Sequence, residues 1–276
     1  MKRSTFLAIG LAGLLLMPLV FVFEALAQES GTELAKKTQN PVADLISIPF
    51  QNNMNFGIGP NNRMQNVLNV QPVIPISLNR EWNLITRTII PIIKQPNLAT
   101  SNEDTWGLGD VNVTAFLSPA NSGPITWGVG PSVQLPTGTD DATGTRKWAA
   151  GPSAVALTMQ GPWVVGGLVR QDWSFAGNSD RRSTSSALIQ PFVNYNLPEG
   201  WYLTTSPIIT ADWEATNGNK WTVPVGGGFG KIVRIGKLPF NLQLAAYSNV
   251  VRPDPGADWT LRFTIALLLP KSIFSH

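Results

Sequence analysis

Few residue types in this chain can do covalent or metal chemistry. The only histidine is His276, the last residue, and there is no cysteine. Ser-His-Asp hydrolysis, His-ligated zinc, thiolate catalysis and disulfides therefore lack their residues. Paired acids at Glu103-Asp104 and Asp140-Asp141 offer the oxygen ligands that a divalent cation takes. Acids in connecting segments are more often simply solvated, and that assignment is the one expected here. The run GGGFGK, Gly226 to Lys231, is glycine-rich like a phosphate loop but lacks its spacing and the following Ser or Thr. It lies inside a strand pattern, so a glycine-rich wall is expected instead. From this inventory the chain is not expected to be an enzyme, and no cofactor or metal is expected.

Seven charged residues stand inside otherwise apolar or amide-rich segments: Arg87, Asp110, Arg170, Asp172, Asp212, Arg234 and Arg262. Burying an unpaired charge is costly, so cross-strand Arg–Asp pairs are expected among them. The elements that carry them follow a two-residue period. In Leu45 to Ile58 the even positions Ile46, Ile48, Phe50, Met54, Phe56 and Ile58 are apolar, broken only by Asn52. The odd positions between them are Ser47, Pro49, Gln51, Asn53, Asn55 and Gly57. Such alternation describes a strand with one greasy face and one amide face, held well beyond the usual length of about five or six residues. The pattern recurs, predicting strands near 45–58, 66–78, 82–93, 108–118, 125–136, 148–159, 163–175, 185–197, 201–213, 221–234, 240–251 and 259–269.

Composition says what surrounds those strands. Charged residues make up 13% of the chain, about half the quarter usual in soluble proteins. The formal net charge is only +3 and the basic residues are scattered, so no nucleic-acid partner is expected. Lys2 and Arg3 precede an apolar run from Phe6 to Phe23, and Ala25-Leu26-Ala27 follows. That is the layout of a secretory signal over 1–27. Residues 28–44 are expected to form a short periplasmic segment, 45–271 the folded unit and 272–276 a tail. Downstream of the signal no stretch approaches the ~18 apolar residues of a spanning helix.

Connection lengths then separate the possible architectures. Asn79-Arg80-Glu81, Pro119 to Pro124, Gln160-Gly161-Pro162, Pro198-Glu199-Gly200 and Ile235 to Pro239 are short. Lys94 to Gly107, Thr137 to Lys147, Ala176 to Thr184, Glu214 to Lys220 and Arg252 to Asp258 are longer and carry much of the charge. Short turns alternating with long loops on an even number of antiparallel strands is the pattern of an outer-membrane barrel. Trp82, Trp163 and Trp201 follow short turns, whereas Trp148, Trp221 and Trp259 follow long loops, which predicts aromatic girdles at two heights. The expected fold is all-β: a transmembrane antiparallel up-and-down β-barrel of about 12 strands in the bacterial outer membrane. A soluble sandwich or lipocalin-like barrel would have to bury the Asn, Gln and Thr faces or expose the Val, Ile and Leu faces. Pro49, Pro72, Pro75, Pro91, Pro131, Pro152, Pro191, Pro207 and Pro224 fall inside the proposed strands. Each removes a ladder donor, which predicts either bulges or interrupted strands.

With lipid against the apolar faces, the lumen-facing candidates are Asn112, Gln134, Gln190, Asn194, Asn241 and Gln243, the glycines Gly128, Gly130, Gly226, Gly228 and Gly230, and the seven charged residues above. Amide groups offer hydrogen bonds without strong charge, and the glycines are expected to keep bulk out of the lumen. Twelve tilted strands give a backbone radius of roughly 12 Å, between filled eight-stranded barrels and open porins. A narrow pore fits unless inward side chains, or the segment from Gln28 to Asp44, fill it.

The segments LISIPFQNNMNFGIGP, QNVLNVQPVIPISLN, WNLITRTIIPII, GLGD, GPWVVGGLV, QPFVNYNLPEGWYL and WTVPVGGGFGK together resemble a bacterial outer-membrane barrel family labelled phenol meta-pathway or transporter-like, some of whose members carry the misleading name neuromedin U. The resemblance runs from Pro41 to Lys271. It implies a barrel in a Gram-negative outer membrane with a loosely defined transport role, and it brings no catalytic or binding residues with it. One departure is the C-terminus, where Phe274 is followed by Ser275 and His276 instead of ending on the aromatic that the outer-membrane assembly machinery reads. Two functions of different classes follow. One is passive passage of small, aromatic or apolar solutes through the lumen. The other is a plugged barrel with a structural or surface-interaction role.

Overall fold

The computed structural model describes residues 30–98, 103–216, 218–236 and 238–270. The expected signal over 1–27 and tail over 272–276 lie outside these residues. Twelve antiparallel strands close into a barrel: β1 (Leu45–Ile58), β2 (Arg63–Val70, continued by Val73–Ser77), β3 (Trp82–Pro96), β4 (Asp104–Leu108, continued by Val111–Pro119), β5 (Ile125–Leu135), β6 (Lys147–Gln160), β7 (Trp163–Gly177), β8 (Ser185–Asn196), β9 (Trp201–Thr205, continued by Ile209–Asp212), β10 (Trp221–Ile235), β11 (Leu238–Val251) and β12 (Trp259–Pro270). Each strand pairs with the next, and β12 returns to β1 in unbroken register from Leu45↔Pro270 to Phe56↔Trp259. Closure leaves no unpaired sheet edge, which is the condition for a sheet to stand in hydrocarbon.

The two-residue period sorts side chains between the two faces. Val129, Val169, Leu203, Val225 and Phe263 are exposed on the outside, whereas Asn112, Ser132, Asn194, Thr204 and Thr264 are buried within. Aromatic residues band the exterior at both ends. At the end bearing the short turns, Trp82 meets Trp127 edge to face and Trp163 meets Tyr195. At the end bearing the loops, Trp259 stacks on Phe56 and Trp213 meets Trp221. At about 3.3 Å per residue and a tilt near 40°, the rise along β7 from Trp163 to Trp173 is roughly 25 Å, the height of the apolar band of a membrane barrel.

Both outcomes expected of the in-strand prolines occur. Pro72 and Pro207 sit in the interruptions of β2 and β9, and Pro224 sits at a register shift between β10 and β11. Pro131 and Pro152 remain in continuous strands, directly opposite each other. On their far sides the ladders skip, from Thr114↔Ser132 to Leu117↔Val129 and from Ala150↔Trp173 to Ser153↔Arg170. Neither proline has an N–H to offer its other neighbour, so those rungs are missing. The outer wall is dented at this point into an apolar concavity of about 900 Å³, lined by Val129, Pro131, Ala150, Pro152, Val169 and Ile189 among others.

Ahead of β1, residues Gly31–Thr38 form a helix, α1. The Ser30 hydroxyl accepts a hydrogen bond from the Glu33 amide at its start, with Glu33 in the first turn and Lys36 and Lys37 in the last. These charges complement the helix dipole.

Candidate functional site

The barrel interior is closed at its turn end by the chain's own N-terminal segment. Leu34 and Ala35 of α1 have no exposed surface and pack against Leu45, Tyr202, Ile232, Ala266 and Leu268. Four residues past the end of α1, Val42 enters a second apolar cluster with Ile85, Phe116, Val164, Leu168 and Phe192. Each such aliphatic side chain contributes roughly 1.5–3 kcal/mol on burial. Polar contacts fix the orientation. The Thr32 hydroxyl donates to the Leu197 carbonyl at 3.2 Å, and the Gln39 and Asn196 amides exchange hydrogen bonds at 2.9 and 3.0 Å.

Above this segment lies a cavity of about 190 Å³ whose wall includes Lys37, Gln51, Gln71, Arg87, Gln190, Asn194, Asn241, Gln243 and Arg262. A second cavity of about 430 Å³ continues toward the loop end, lined by Asn53, Asn55, Asn69, Tyr247, Asn249 and others, and it shares Gln51 and Arg262 with the first. Arg262 thus stands at the waist between the two. Its Nε donates to Asn53 Oδ1 and its Nη1 to the Ser206 carbonyl, both at 2.9 Å, and its guanidinium lies 4.7 Å over the Tyr247 ring. Below it the Tyr202 hydroxyl donates to Asn241 Oδ1 at 2.8 Å.

The charged candidates do not come together as cross-strand Arg–Asp pairs throughout, and this corrects the expectation. Arg170 pairs with Asp172 at 2.8 Å, but both lie on β7 two positions apart, and Arg170 also donates to Asn112 Oδ1 at 2.7 Å. Asp212 meets Arg182 of the preceding loop. Arg87 donates to Gln71 Oε1 at 2.8 Å, and Arg262 uses the amide and carbonyl acceptors just named. In an amide-rich lumen neutral oxygens stand where carboxylates were expected. Asp110 occupies the interruption of β4, where it accepts from the Gly138 and Thr145 amides at 3.0 and 2.7 Å, the Thr145 hydroxyl and the Gln134 amide. It therefore ties down the loop over residues 136–146. Arg234 is exposed near the turn end of β10.

The glycines serve a different purpose from the one expected. A Cβ at Gly130, Gly226 or Gly228 would lie 1.8, 2.0 or 1.9 Å from the carbonyl oxygen of Ala115, Ala246 or Leu244. At Gly230 it would meet the Tyr202 ring at 2.2 Å, and at Gly128 it would approach Phe116 and Val42 at 3.2 Å. These positions let neighbouring backbones and rings close in, so the space is filled and not held open. Tyr202, Tyr247, Phe116 and Val42 were not singled out in the sequence, because a bulky residue on an inward position has no signature beyond its parity. Gln51 and Asn53 were visible as the amide face of the first strand.

Asp104, Asp140 and Asp141 are engaged by cations or backbone. Asp104 meets Arg63 and Lys94, each at 2.7 Å, Asp141 meets Arg146, and Asp140 accepts from the Ala142 amide at 2.8 Å. Among the described residues no group of three or more acidic or histidine side chains could hold a metal ion, and His276 lies outside them.

No protein-family model matches the chain, and no curated protein matches it. Solved structures do. A COG4313 outer membrane channel from Pseudomonas putida F1 is similar with a TM-score of 0.62 at 17% identity, over 82% of this chain and 94% of that one. The chain thus has the fold of an outer-membrane barrel. Outer membrane phospholipase A from Escherichia coli is similar with a TM-score of 0.47 at 14% identity, over 88% of this chain and 99% of that one. The Salmonella typhi enzyme, a dimer with bound calcium, follows with a TM-score of 0.42 at 12% identity, over 82% and 91%. The expectation that the chain is not an enzyme is corrected to this extent: two of the similar structures are of an enzyme. At that distance nothing of their chemistry transfers.

Proposed function

We propose that the chain is an outer-membrane channel for small solutes, closed at rest on its turn end by its own residues 30–44. The observation that carries this reading is the pair of amide-lined cavities in series, which end on α1. A lumen meant only as a scaffold needs no such polar space, since a filled core is the more stable way to build one. The apolar exterior between two tryptophan belts faces outer-membrane lipid, the assembly machinery inserts the barrel, and the solute enters from the loop end. Passage requires α1 to leave its seat against Tyr202, Ile232 and Leu268.

Planar-bilayer recording tests this. Deleting residues 30–40 should raise single-channel conductance severalfold over the intact chain. The chain has no cysteine, so Gln39→Cys with Asn196→Cys, joined by a short bifunctional thiol reagent, should hold conductance at or below the intact level. Equal conductance in the intact and deleted forms, with both folded by heat-modifiable mobility, would replace the channel with a barrel that has a structural or surface role.

A further inference from the structure

The lower cavity has an unbalanced charge. The guanidiniums of Arg87 and Arg262 line it, and none of its lining residues is Asp or Glu. The contrast with Arg170 is informative, because that guanidinium has Asp172 at 2.8 Å. Among the described residues Arg87 donates to the neutral Gln71 oxygen, and Arg262 has the Asn53 amide oxygen, the Ser206 carbonyl and the Tyr247 face. Two guanidiniums withdrawn from bulk water with neutral acceptors leave a positive potential in the space between them, and a low-dielectric wall strengthens it. A guanidinium is also the group that matches a carboxylate in geometry, through paired parallel N–H donors.

The rest of the wall sets the size and character of what fits. Leu168, Phe192, Val73 and Leu45 contribute an apolar side to the same cavity. Its volume of about 190 Å³ is a little larger than the ~150 Å³ that accommodates a benzene molecule. We propose that this cavity is a binding site for a small organic monocarboxylate, with the carboxylate held by Arg87 and Arg262 and an apolar body of about ring size against Leu168 and Phe192. This deepens the channel reading by naming the class of solute that pauses there, at the waist above α1.

Isothermal titration of the purified full-length chain in neutral detergent at low salt provides the test, with benzoate as probe and benzyl alcohol as its uncharged counterpart. Benzoate should bind saturably and at least tenfold more tightly than benzyl alcohol. Arg87→Gln and Arg262→Gln should each weaken benzoate at least tenfold, while Arg262→Lys, which keeps the charge but not the paired donors, should recover only part of the loss. Heat-modifiable mobility reports whether each variant folds, and Arg87→Gln decides the matter if Arg262→Gln does not. Equal affinity for the two probes, or unchanged benzoate affinity in Arg87→Gln, would overturn the site. Because binding is read without any membrane current, benzoate binding with no conductance in the form lacking residues 30–40 would remove the channel and keep the site. Conductance without binding would do the reverse.

Discussion

At the scale of single residues, parity governs which substitutions the barrel accepts. Val129 is exposed on the outer face near the middle of its strand, whereas Gln190 lines the lower cavity. Arginine at Val129 should therefore cost about 2–4 kcal/mol and arginine at Gln190 much less, measured by urea unfolding in liposomes. Comparable costs at both would contradict the assignment of faces. Gly228 shows what parity does not reveal. Its inward position follows from the alternation of its strand, but its contact with the Leu244 carbonyl and Ala245 backbone depends on the register of a neighbouring strand. Gly228→Ala should destabilise by roughly 1–3 kcal/mol through overpacking, visible as a lower midpoint in the same assay. A stability equal to the unaltered chain would mean that the two strands can part there without strain.

At the scale of elements, polar ends extend the strands beyond the stretch that the sequence pattern delimits. The segment from Lys94 to Gly107 was expected to be a loop, yet Lys94 to Pro96 pair with Asp104 to Trp106, and β2 begins at Arg63. Past the aromatic belt the apolar alternation has no reason to continue, so charged side chains take over. Asp104 between Arg63 and Lys94 has no two-residue signature to read. The loop over residues 136–146 is ordered in the same manner. Asp110→Asn removes the charge from a group accepting four hydrogen bonds, and a spin label at Thr139→Cys should become mobile at neutral pH. Asp141 supplies the pH dependence. A hydrogen bond from Arg146, the charge of that guanidinium and the nearby Arg181 hold its carboxyl below the usual carboxylate range. A depressed carboxyl contributes order that is complete above its unfolded value near 3.8 and is lost as pH falls through the lower folded value. The same label in the otherwise unaltered chain should stay immobile down to about pH 4 and loosen only below it. Loosening at pH 5 to 6 would show that Asp141 does not hold the loop.

At the scale of the whole molecule, orientation and closure are the properties to check. Cysteines placed at Asp141 or Asn178, on the loop end, should react with an impermeant reagent on intact cells, and one at Glu199, on a short turn, should not. The opposite pattern would invert the barrel. Twelve strands, their faces and the alternation of turns and loops are all written locally, in period-two runs bounded by Pro, Gly and Trp, which is why the sequence conveys them. What fills the lumen is a long-range matter. Nothing local in Leu34, Ala35 or Val42 distinguishes a free periplasmic segment from one seated against Tyr202 and Phe116, because the seat is assembled from strands far apart in the chain.

The seam between β1 and β12 joins the two ends of the barrel's sequence and is the last pairing that chain order allows. The helix seated inside is tethered to β1 by residues 39–44 alone. Leu45 on β1 and Ala266 and Leu268 on β12 all belong to the seat of α1, so that seat is complete only once the seam has closed, and this non-local pairing is expected to be the slow step.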